Sequence, residues 1–332
     1  MKAFYFSLLV IVLFTACNSE NPVDPPHEKE PVWVPRNNGL NSLTIQAIGG
    51  AVNSLYIGTF DGVSKSEDGG ESWMPVNGGL ESRDVTSLAV DPGNPDHVYC
   101  GTWGKGVFKS SDGGSTWKSV WSASQDPRIH ELCLVAADQL LWAGTENGLY
   151  RSADSGASWQ RYLYGRVLSI AVRPDQPQSI YAGIMYHGNF KSSDGGESWT
   201  EINDGLLTTE DGTASANSFT FSPANPFEIV ISTGWVDLYK SVDGGGSWQQ
   251  FADRLSYLDV VSVAFDPGDE NKLWAATKSH GVFRSVDGGE SWEEVNKGLG
   301  SLEMKRIILF SGPETVLYAG TTEKGIFKYS DE

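Results

Sequence analysis

The sequence predicts an all-β fold: a single seven-bladed β-propeller built from four-stranded antiparallel blades. The first observation is an eight-residue box, Ser-x-Asp-x-Gly-x-Ser/Thr-Trp, whose six copies end at Trp73, Trp117, Trp159, Trp199, Trp248 and Trp292. Successive copies lie between 40 residues (159 to 199) and 49 residues (199 to 248) apart. A period of about 40–50 residues is typical of propeller blades.

The second observation is that the two ends of the chain complement each other. Residues 33–40 align without a gap with residues 73–80, a fourth strand that follows a box. Residues 302–332 contain a first, second and third strand and stop near Asp331, which aligns with the box aspartate. We therefore expect an N-terminal strand to complete the last blade and close a ring of seven blades over residues 33–332.

Within each repeat, four short segments recur in the same order. The first resembles Val-Thr-Ser-Leu-Ala-Val-Asp-Pro at 85–92, the second Leu-Tyr-Ile-Gly-Thr at 55–59, and the third Gly-Val-Phe-Lys-Ser at 106–110. The fourth begins at the box tryptophan. Such β-branched and aromatic runs, punctuated by Gly, Pro, Asn and Asp, are typical of strands, and no segment longer than one strand has a helical period.

The box has the composition of a turn between the third and fourth strands. Its aspartate can accept hydrogen bonds from backbone N–H groups, the glycine two residues later supplies a positive φ, and the tryptophan packs at the blade edge. One acid in each blade around a ring has no catalytic use. We therefore interpret the six aspartates as structural and not as metal ligands or catalytic acids: Asp68, Asp112, Asp154, Asp194, Asp243 and Asp287.

The N-terminus predicts export and lipid anchoring. Residues 1–16 form a signal peptide, with Lys2 before an apolar stretch too short to span a membrane. The run ending at Cys17 resembles a bacterial lipobox, although Phe14 departs from its usual pattern, and an ordinary cleaved signal is the alternative. Residues 17–32 are Pro-rich and acidic, so we expect a tether up to about 45 Å long at about 3.1 Å per residue. The predicted location is the cell envelope, with the protein anchored in a membrane only by its lipid.

The charge and the cysteine and histidine content exclude several classes of function. The formal net charge of −18 argues against nucleic-acid binding, which depends on Lys and Arg. Apart from Cys17, Cys100 and Cys133 are the remaining cysteines, and free core thiols are favoured over a disulfide. The histidines lie in separate repeats without metal-ligand spacing, so we expect neither a metal nor a cofactor. We expect a monomer.

The repeats resemble the Asp-box (bacterial neuraminidase, BNR) repeats of sialidases, xyloglucanase-type glycoside hydrolases, sortilin-like receptors and photosystem assembly factors. The resemblance covers residues 33–332 and implies the propeller fold, with the boxes on one face and ligands on the other. It implies little about activity, because these relatives share little chemistry. The Phe/Tyr-Arg-Ile-Pro motif of sialidases is absent. Residues 59–62 faintly resemble a xyloglucanase segment that holds a catalytic aspartate, but those enzymes place their cleft between two propellers.

Binding candidates therefore lie in the loops opposite the boxes. The loops between second and third strands carry four large aromatic residues that suit sugars or peptide side chains, or that instead plug the tunnel: Phe60, Trp103, Tyr186 and Trp235. The loops between blades add four arginines that could form an anion site: Arg83, Arg128, Arg166 and Arg306. Salt bridges with Asp84, Asp126, Asp259 or Glu303 are the plainer alternative.

The same face offers weak catalytic candidates, of which Asp61 and Glu323 from adjacent blades are the best pair for glycoside hydrolysis. The long irregular segment 206–217 is either a mobile lid or a tolerated insertion. The sequence thus favours a non-catalytic, membrane-tethered propeller that binds a glycan or an extracytoplasmic protein. A glycoside hydrolase or lyase is the first alternative, and a structural scaffold in an envelope assembly is the second.

Overall fold

The computed structural model describes residues 31–51, 53–122, 128–135, 140–233, 237–311 and 315–330. These residues form seven four-stranded antiparallel sheets and one additional two-stranded hairpin, which confirms the predicted seven-bladed propeller. The helical content of this part of the chain is slight, and none of its helices is long and apolar enough to cross a bilayer. One short 3-10 helix lies at Asp253–Leu255.

The strands follow one another around the ring in chain order. They are β1 (Val32–Pro35); β2 (Ala47–Ala51), β3 (Ser54–Thr59), β4 (Gly62–Ser66) and β5 (Met74–Pro75) of blade 1; β6 (Val85–Asp91), β7 (Asn94–Thr102), β8 (Gly106–Ser110) and β9 (Lys118–Trp121) of blade 2; β10 (Ile129–Val135), β11 (Leu140–Thr145), β12 (Gly148–Ser152) and β13 (Gln160–Tyr164) of blade 3; and β14 (Val167–Val172), β15 (Ile180–Ile184), β16 (Gly188–Ser192) and β17 (Thr200–Glu201) of blade 4.

The second half continues in the same way. A hairpin of β18 (Thr208–Thr209) and β19 (Gly212–Thr213) precedes blade 5, which contains β20 (Ser218–Phe221), β21 (Ile229–Ser232), β22 (Leu238–Ser241) and β23 (Gln249–Phe251); blade 6 contains β24 (Val260–Asp266), β25 (Asp269–Thr277), β26 (Val282–Ser285) and β27 (Glu293–Glu294); and blade 7 contains β28 (Met304–Phe310), β29 (Val316–Thr321) and β30 (Ile326–Ser330). The first strand of each blade lines the central axis.

The hydrophobic core lies between the blades, in a ring around the axis. One cluster, for example, joins Tyr56 of blade 1 to Val98, Phe108 and Trp117 of blade 2. An aromatic residue occupies the same position on the second strand of six blades and is almost completely buried in each: Tyr56, Tyr99, Trp142, Tyr181, Trp274 and Tyr318. Because every blade packs against both neighbours, the ring must close before all of this surface is removed from water.

The six boxes form the same hydrogen-bonded turn. In blade 1, Asp68 accepts hydrogen bonds from Ser66 Oγ (2.8 Å), Ser72 N (2.9 Å) and Ser72 Oγ (2.5 Å). Gly70 N donates to Ser66 Oγ (2.8 Å), and Gly69 and Gly70 both have positive φ, of 69° and 85°. The boxes are thus turns, as predicted, although hydroxyl donors contribute to them as well as the backbone.

The N-terminal strand closes the ring as predicted. β1 pairs antiparallel with β30, with Val32 opposite Ser330 and Pro35 opposite Phe327. The indole of Trp33 donates to Val295 O of blade 6 at 2.5 Å. The box tryptophans of blades 1, 2 and 5 likewise donate to the preceding blade, at Arg36 O, Val76 O and Ile202 O. Trp33 therefore makes the same inter-blade hydrogen bond as three of the six box tryptophans, whereas the box tryptophans of blades 3, 4 and 6 donate within their own box.

Candidate functional site at the mouth of the axial tunnel

Strand direction places the boxes on one face and two sets of loops on the other. The loops between second and third strands and those between blades surround the mouth of the axial tunnel. This mouth is a cavity of about 340 Å³, lined by residues at the starts of the inner strands and by Trp103. Below it, the inner strands of blades 3 to 7 and of blade 1 line a second cavity of about 380 Å³ along the axis.

One side of the mouth is an aromatic and cationic cluster between blades 2 and 4. Trp103 forms an isolated antiparallel bridge with Arg128, whose guanidinium lies 5.7 Å from the centre of the indole. The His130 ring meets the indole edge-on at 5.5 Å. His130 Nε2 lies 2.9 Å from Glu146 Oε2, and Arg166 Nε lies 3.7 Å from the same oxygen. We call Trp103, Arg128, His130, Glu146 and Arg166 the mouth cluster.

The mouth cluster lowers the pKa of Glu146. Partial burial by itself would raise its pKa, but the hydrogen bond from His130 and the charges of Arg166 and Arg128 outweigh burial and hold the pKa below its ordinary value. Glu146 is therefore an anion at neutral pH. It faces two arginines, so the cluster carries an excess of positive charge within an acidic protein.

A second ion pair crosses the axis itself. Arg306 at the start of the inner strand of blade 7 donates from Nη2 to Glu131 Oε2 of blade 3 at 2.7 Å. The side chain of Glu131 is 15% exposed and that of Arg306 is 31% exposed. Because these blades stand on opposite sides of the ring, the pair bridges the tunnel and narrows it. Lys305 lines the mouth beside it.

The four predicted arginines thus do not form one group. Arg128 and Arg166 belong to the mouth cluster, Arg306 spans the axis, and Arg83 lies apart, with its Nη1 3.5 Å from Asp61 O. The predicted acidic partners bind elsewhere: Asp84 accepts from Gln46 at 2.8 Å, Asp259 pairs with Lys278 at 3.3 Å, and Glu303 accepts from Thr322 at 2.8 Å. Asp126 lies outside the described residues.

The predicted aromatic residues differ in their surroundings. Phe60, Trp103 and Tyr186 are all well exposed, at 53%, 45% and 59%, so none of them is buried in the tunnel as a plug. Trp103 alone of these three is held in the mouth cluster. Trp235, Cys17 and the segments 1–16 and 17–30 lie outside the described residues.

The catalytic candidates Asp61 and Glu323 are both exposed. Within the described residues, no three His, Cys, Asp or Glu side chains converge as a metal site. Cys100 and Cys133 are free thiols, and burial raises the pKa of both, to about 12 for Cys133.

Sequence reasoning missed a second concave site beside the mouth. In six blades, a threonine at the end of the second strand closes the following loop by donating to a backbone carbonyl 3–4 residues later, as Thr102 Oγ1 does to Gly106 O at 2.9 Å. Blade 4 has Ile184 at this position. In blade 4 the threonine contact is replaced by one from Ser215, which follows the β18–β19 hairpin. Its Oγ donates to Ile184 O at 2.7 Å and accepts from Gly188 N at 3.1 Å.

Segment 206–217 is accordingly an ordered hairpin packed on the loop of blade 4. Thr213 N donates to Tyr186 O at 3.0 Å, and Asn189 Oδ1 accepts from Ala216 N at 2.8 Å. Between the hairpin and the loop lies a cavity of about 450 Å³. We call it the hairpin pocket; its apolar lining is Leu168, Met185, Tyr186, Leu207 and Ala214.

The chain matches one protein-family model and shares its fold with several solved structures. Residues 42–317 match the family described as Photosynthesis system II assembly factor YCF48. No curated protein matches the chain. A solved structure of YCF48 bound to D1 peptide is 17% identical, with a TM-score of 0.67, and the match covers 92% of this chain and 97% of that one.

Two larger proteins share the fold. The extracellular domain of a one-component system from B. thetaiotaomicron is 15% identical, with a TM-score of 0.68, over 92% of this chain and 40% of that one. An ancestral GH74 enzyme is 18% identical, with a TM-score of 0.70, over 90% of this chain and 47% of that one. The chain therefore spans less than half the length of these two proteins, and at such identities the likeness shows the fold alone.

Proposed function

The chain belongs to the photosynthesis system II assembly factor YCF48 family, and from this premise we propose that it is a non-catalytic binding propeller that captures a peptide segment of a protein partner. The binding site is the mouth of the tunnel, on the face opposite the boxes. The observation that carries the proposal is the mouth cluster, where an exposed indole and two arginines stand beside an open cavity.

The chemistry of this cluster suits a peptide. A half-exposed tryptophan offers a large contact area at little cost in side-chain entropy. Arginines bind carboxylates in a fixed geometry, so Arg128 and Arg166 favour an acidic side chain or a terminal carboxylate. A relative of the same family has been solved with a peptide bound. A glycan is the competing ligand, because an exposed indole also suits a sugar face.

We place the protein outside the cytoplasm, anchored by a lipid on Cys17. The apolar segment before Cys17 and the acidic, Pro-rich segment after it support this location. The fold is shared with extracellular domains, which agrees with it. Its expected partners are therefore proteins or glycans of the cell envelope. A structural scaffold in an envelope assembly would be one form of such protein binding.

The test is a paired array experiment with the purified full chain. We expect binding to a subset of an array of peptides tiled from envelope proteins, and loss of at least about tenfold in affinity on Trp103→Ala or Arg166→Gln. Phe60→Ala, an equally exposed aromatic outside the cluster, is the matched control and should bind normally.

A glycan array run in parallel decides the alternatives. Binding of glycans and not of peptides would replace the peptide proposal. Release of reducing ends from a bound glycan, abolished by Asp61→Asn or Glu323→Gln, would establish the hydrolase alternative instead.

A further inference from the structure

The hairpin pocket is lined by apolar side chains, by hydroxyls that are bonded within the protein, and by the polar side chains of Asp211 and Asn217. The hydroxyl of Ser215 bonds to Ile184 O and Gly188 N, and Thr233 Oγ1 donates to Asp237 O at 2.8 Å. Thr208 and Thr213 bond to each other across the hairpin at 3.2 Å. The apolar surface that a ligand can meet is that of Leu168, Met185, Tyr186, Leu207 and Ala214, and Asp211 and Asn217 add two polar groups beside it.

Two of these side chains are exposed to solvent. Tyr186 is 59% exposed and Leu207 is 43% exposed. The backbone of Tyr186 has a φ of +67°, a left-handed conformation that is unfavourable for a residue with a side chain. Two contacts fix it there: Thr213 N donates to its carbonyl, and His187 forms a parallel bridge with Thr213. The fold thus keeps an aromatic ring at the rim of the cavity against the local preference of the backbone.

The pocket is continuous with the mouth of the tunnel. Leu168 and Asn217 line both cavities. Arg166 of the mouth cluster precedes Leu168 by two residues, which corresponds to about 7 Å along a strand. A ligand that contacts Arg166 therefore has the hairpin pocket within reach of its next two or three residues.

We propose that the hairpin pocket is a specificity subsite for one aromatic or branched aliphatic side chain of an acidic peptide. That side chain lies two to three residues from the carboxylate that Arg166 binds. This inference rests on the proposed function and names the class of peptide that the site selects. A cavity of about 450 Å³ lies within the range of about 300–1,000 Å³ that is typical of ligand pockets, and it has room for a phenylalanine or leucine side chain.

The apolar part of the pocket favours an apolar side chain over a sugar, and Asp211 and Asn217 are the lining residues left to bond a sugar hydroxyl. Sugar hydroxyls need hydrogen-bonding partners when they lose water. The hydroxyls of Ser215, Thr213 and Thr233 are engaged within the protein. An apolar side chain makes no such demand and gains from burial.

The experiment is a selection of random dodecapeptides displayed on phage, with the immobilised full chain as bait. We expect enriched peptides to carry Phe, Tyr, Leu or Ile two to three residues from Asp, Glu or the free C-terminus. Synthetic versions of the enriched peptides, with the apolar residue replaced by Ser, should bind at least about tenfold more weakly.

Two variants test the pocket itself. Tyr186→Gly removes the ring and suits the positive φ, so it should fold at least as well as the wild type. Leu207→Asp places a charge against the apolar lining. Both should weaken binding of the selected peptides at least about tenfold, whereas Val242→Asp, which changes an exposed apolar residue on the box side, should not.

The outcomes separate this inference from the proposed function. Enrichment for acidic residues alone, with full binding by Tyr186→Gly and Leu207→Asp, overturns the subsite and leaves peptide capture standing. Failure to enrich any peptide overturns both. Binding of a dansyl-labelled fatty acid that is lost in the same two variants, without peptide binding, assigns the pocket to a lipid chain and also overturns the proposal.

Discussion

At the scale of single residues, the box aspartates show how one carboxylate organises a turn. Each accepts three hydrogen bonds, from a hydroxyl two residues earlier and from the hydroxyl and backbone N–H four residues later. These donors, led by the later hydroxyl, lower the pKa of Asp68, Asp154 and Asp287 from 3.8 to about 2. The charged form is therefore the one that the folded protein prefers.

This preference predicts acid sensitivity with a definite window. Because the folded pKa lies below the unfolded one, the contribution to stability is complete above about pH 4 and is lost as the pH falls towards 2. We expect the free energy of unfolding, measured by urea titration, to fall across this range. Asp154→Asn should lower stability at pH 7 and flatten the acid dependence. Asp61→Asn replaces an exposed carboxylate outside any box and should change neither the stability at pH 7 nor its acid dependence. An equal acid dependence of the free energy of unfolding in the wild type and both variants would contradict the prediction.

The residue scale also shows where prediction from sequence ends. The repeat predicts which loops lie on the face opposite the boxes, so Trp103 and Arg166 could be identified as candidates. The grouping of the arginines could not be predicted, because it depends on which side chains reach across the ring. Glu131 sits within the short run Ile-His-Glu-Leu, where alternation does not distinguish an axial acid from an ordinary exposed one, and its partner lies 175 residues away.

At the scale of elements, the closing strand was predictable and the hairpin was not. β1 carries the sequence of a fourth strand, and its register with β30 follows from the repeat. β18 and β19 contain two residues each, which is too short for a period to be recognised. Their position depends on Ser215 and Asn189, which replace a threonine contact that blade 4 lacks.

Closure by β1 predicts a sharp difference between two truncations. A chain that begins at residue 31 keeps β1 and should fold. A chain that begins at residue 37 loses Trp33, which is 2% exposed, and leaves the edge of β30 without a partner. Loss of a buried tryptophan alone costs about 3–5 kcal/mol, and an open strand edge favours aggregation. Thermal unfolding with light scattering tests this, and equal midpoints without aggregation would show that β1 does not close the ring.

At the scale of the whole molecule, the Arg306–Glu131 pair joins opposite sides of the ring. Glu131→Gln should lower the free energy of unfolding by about 1–3 kcal/mol, because it leaves a half-buried guanidinium without its anion. Replacing both partners, with Arg306→Met and Glu131→Leu, should recover most of the loss. The more exposed pair Arg284–Glu293 on blade 6 is the control and should contribute less than about 1 kcal/mol. Additive losses in the double-mutant cycle would show that the axial pair is not coupled.

The path of β1 also fixes how an anchored molecule would present its binding face. Val32 lies opposite Ser330, at the box end of blade 7, so the chain enters the propeller from the box face. If Cys17 carries a lipid, the box face is nearer the membrane, and the mouth cluster and the hairpin pocket face away from it. A partner would then be captured from the compartment and not from the bilayer surface.

Energy transfer to a labelled lipid headgroup measures this orientation. Val286→Cys places a dye on the box face and Lys105→Cys places one at the mouth. The native thiols should not compete, because burial raises the pKa of Cys100 and of Cys133 and keeps them protonated. We expect stronger transfer from position 286 than from position 105 in lipid vesicles carrying the lipidated chain, and none from either position when Cys17→Ser prevents anchoring. Equal transfer from both positions would mean that the tether lets the propeller rotate freely. The mouth would then have no preferred orientation relative to the membrane.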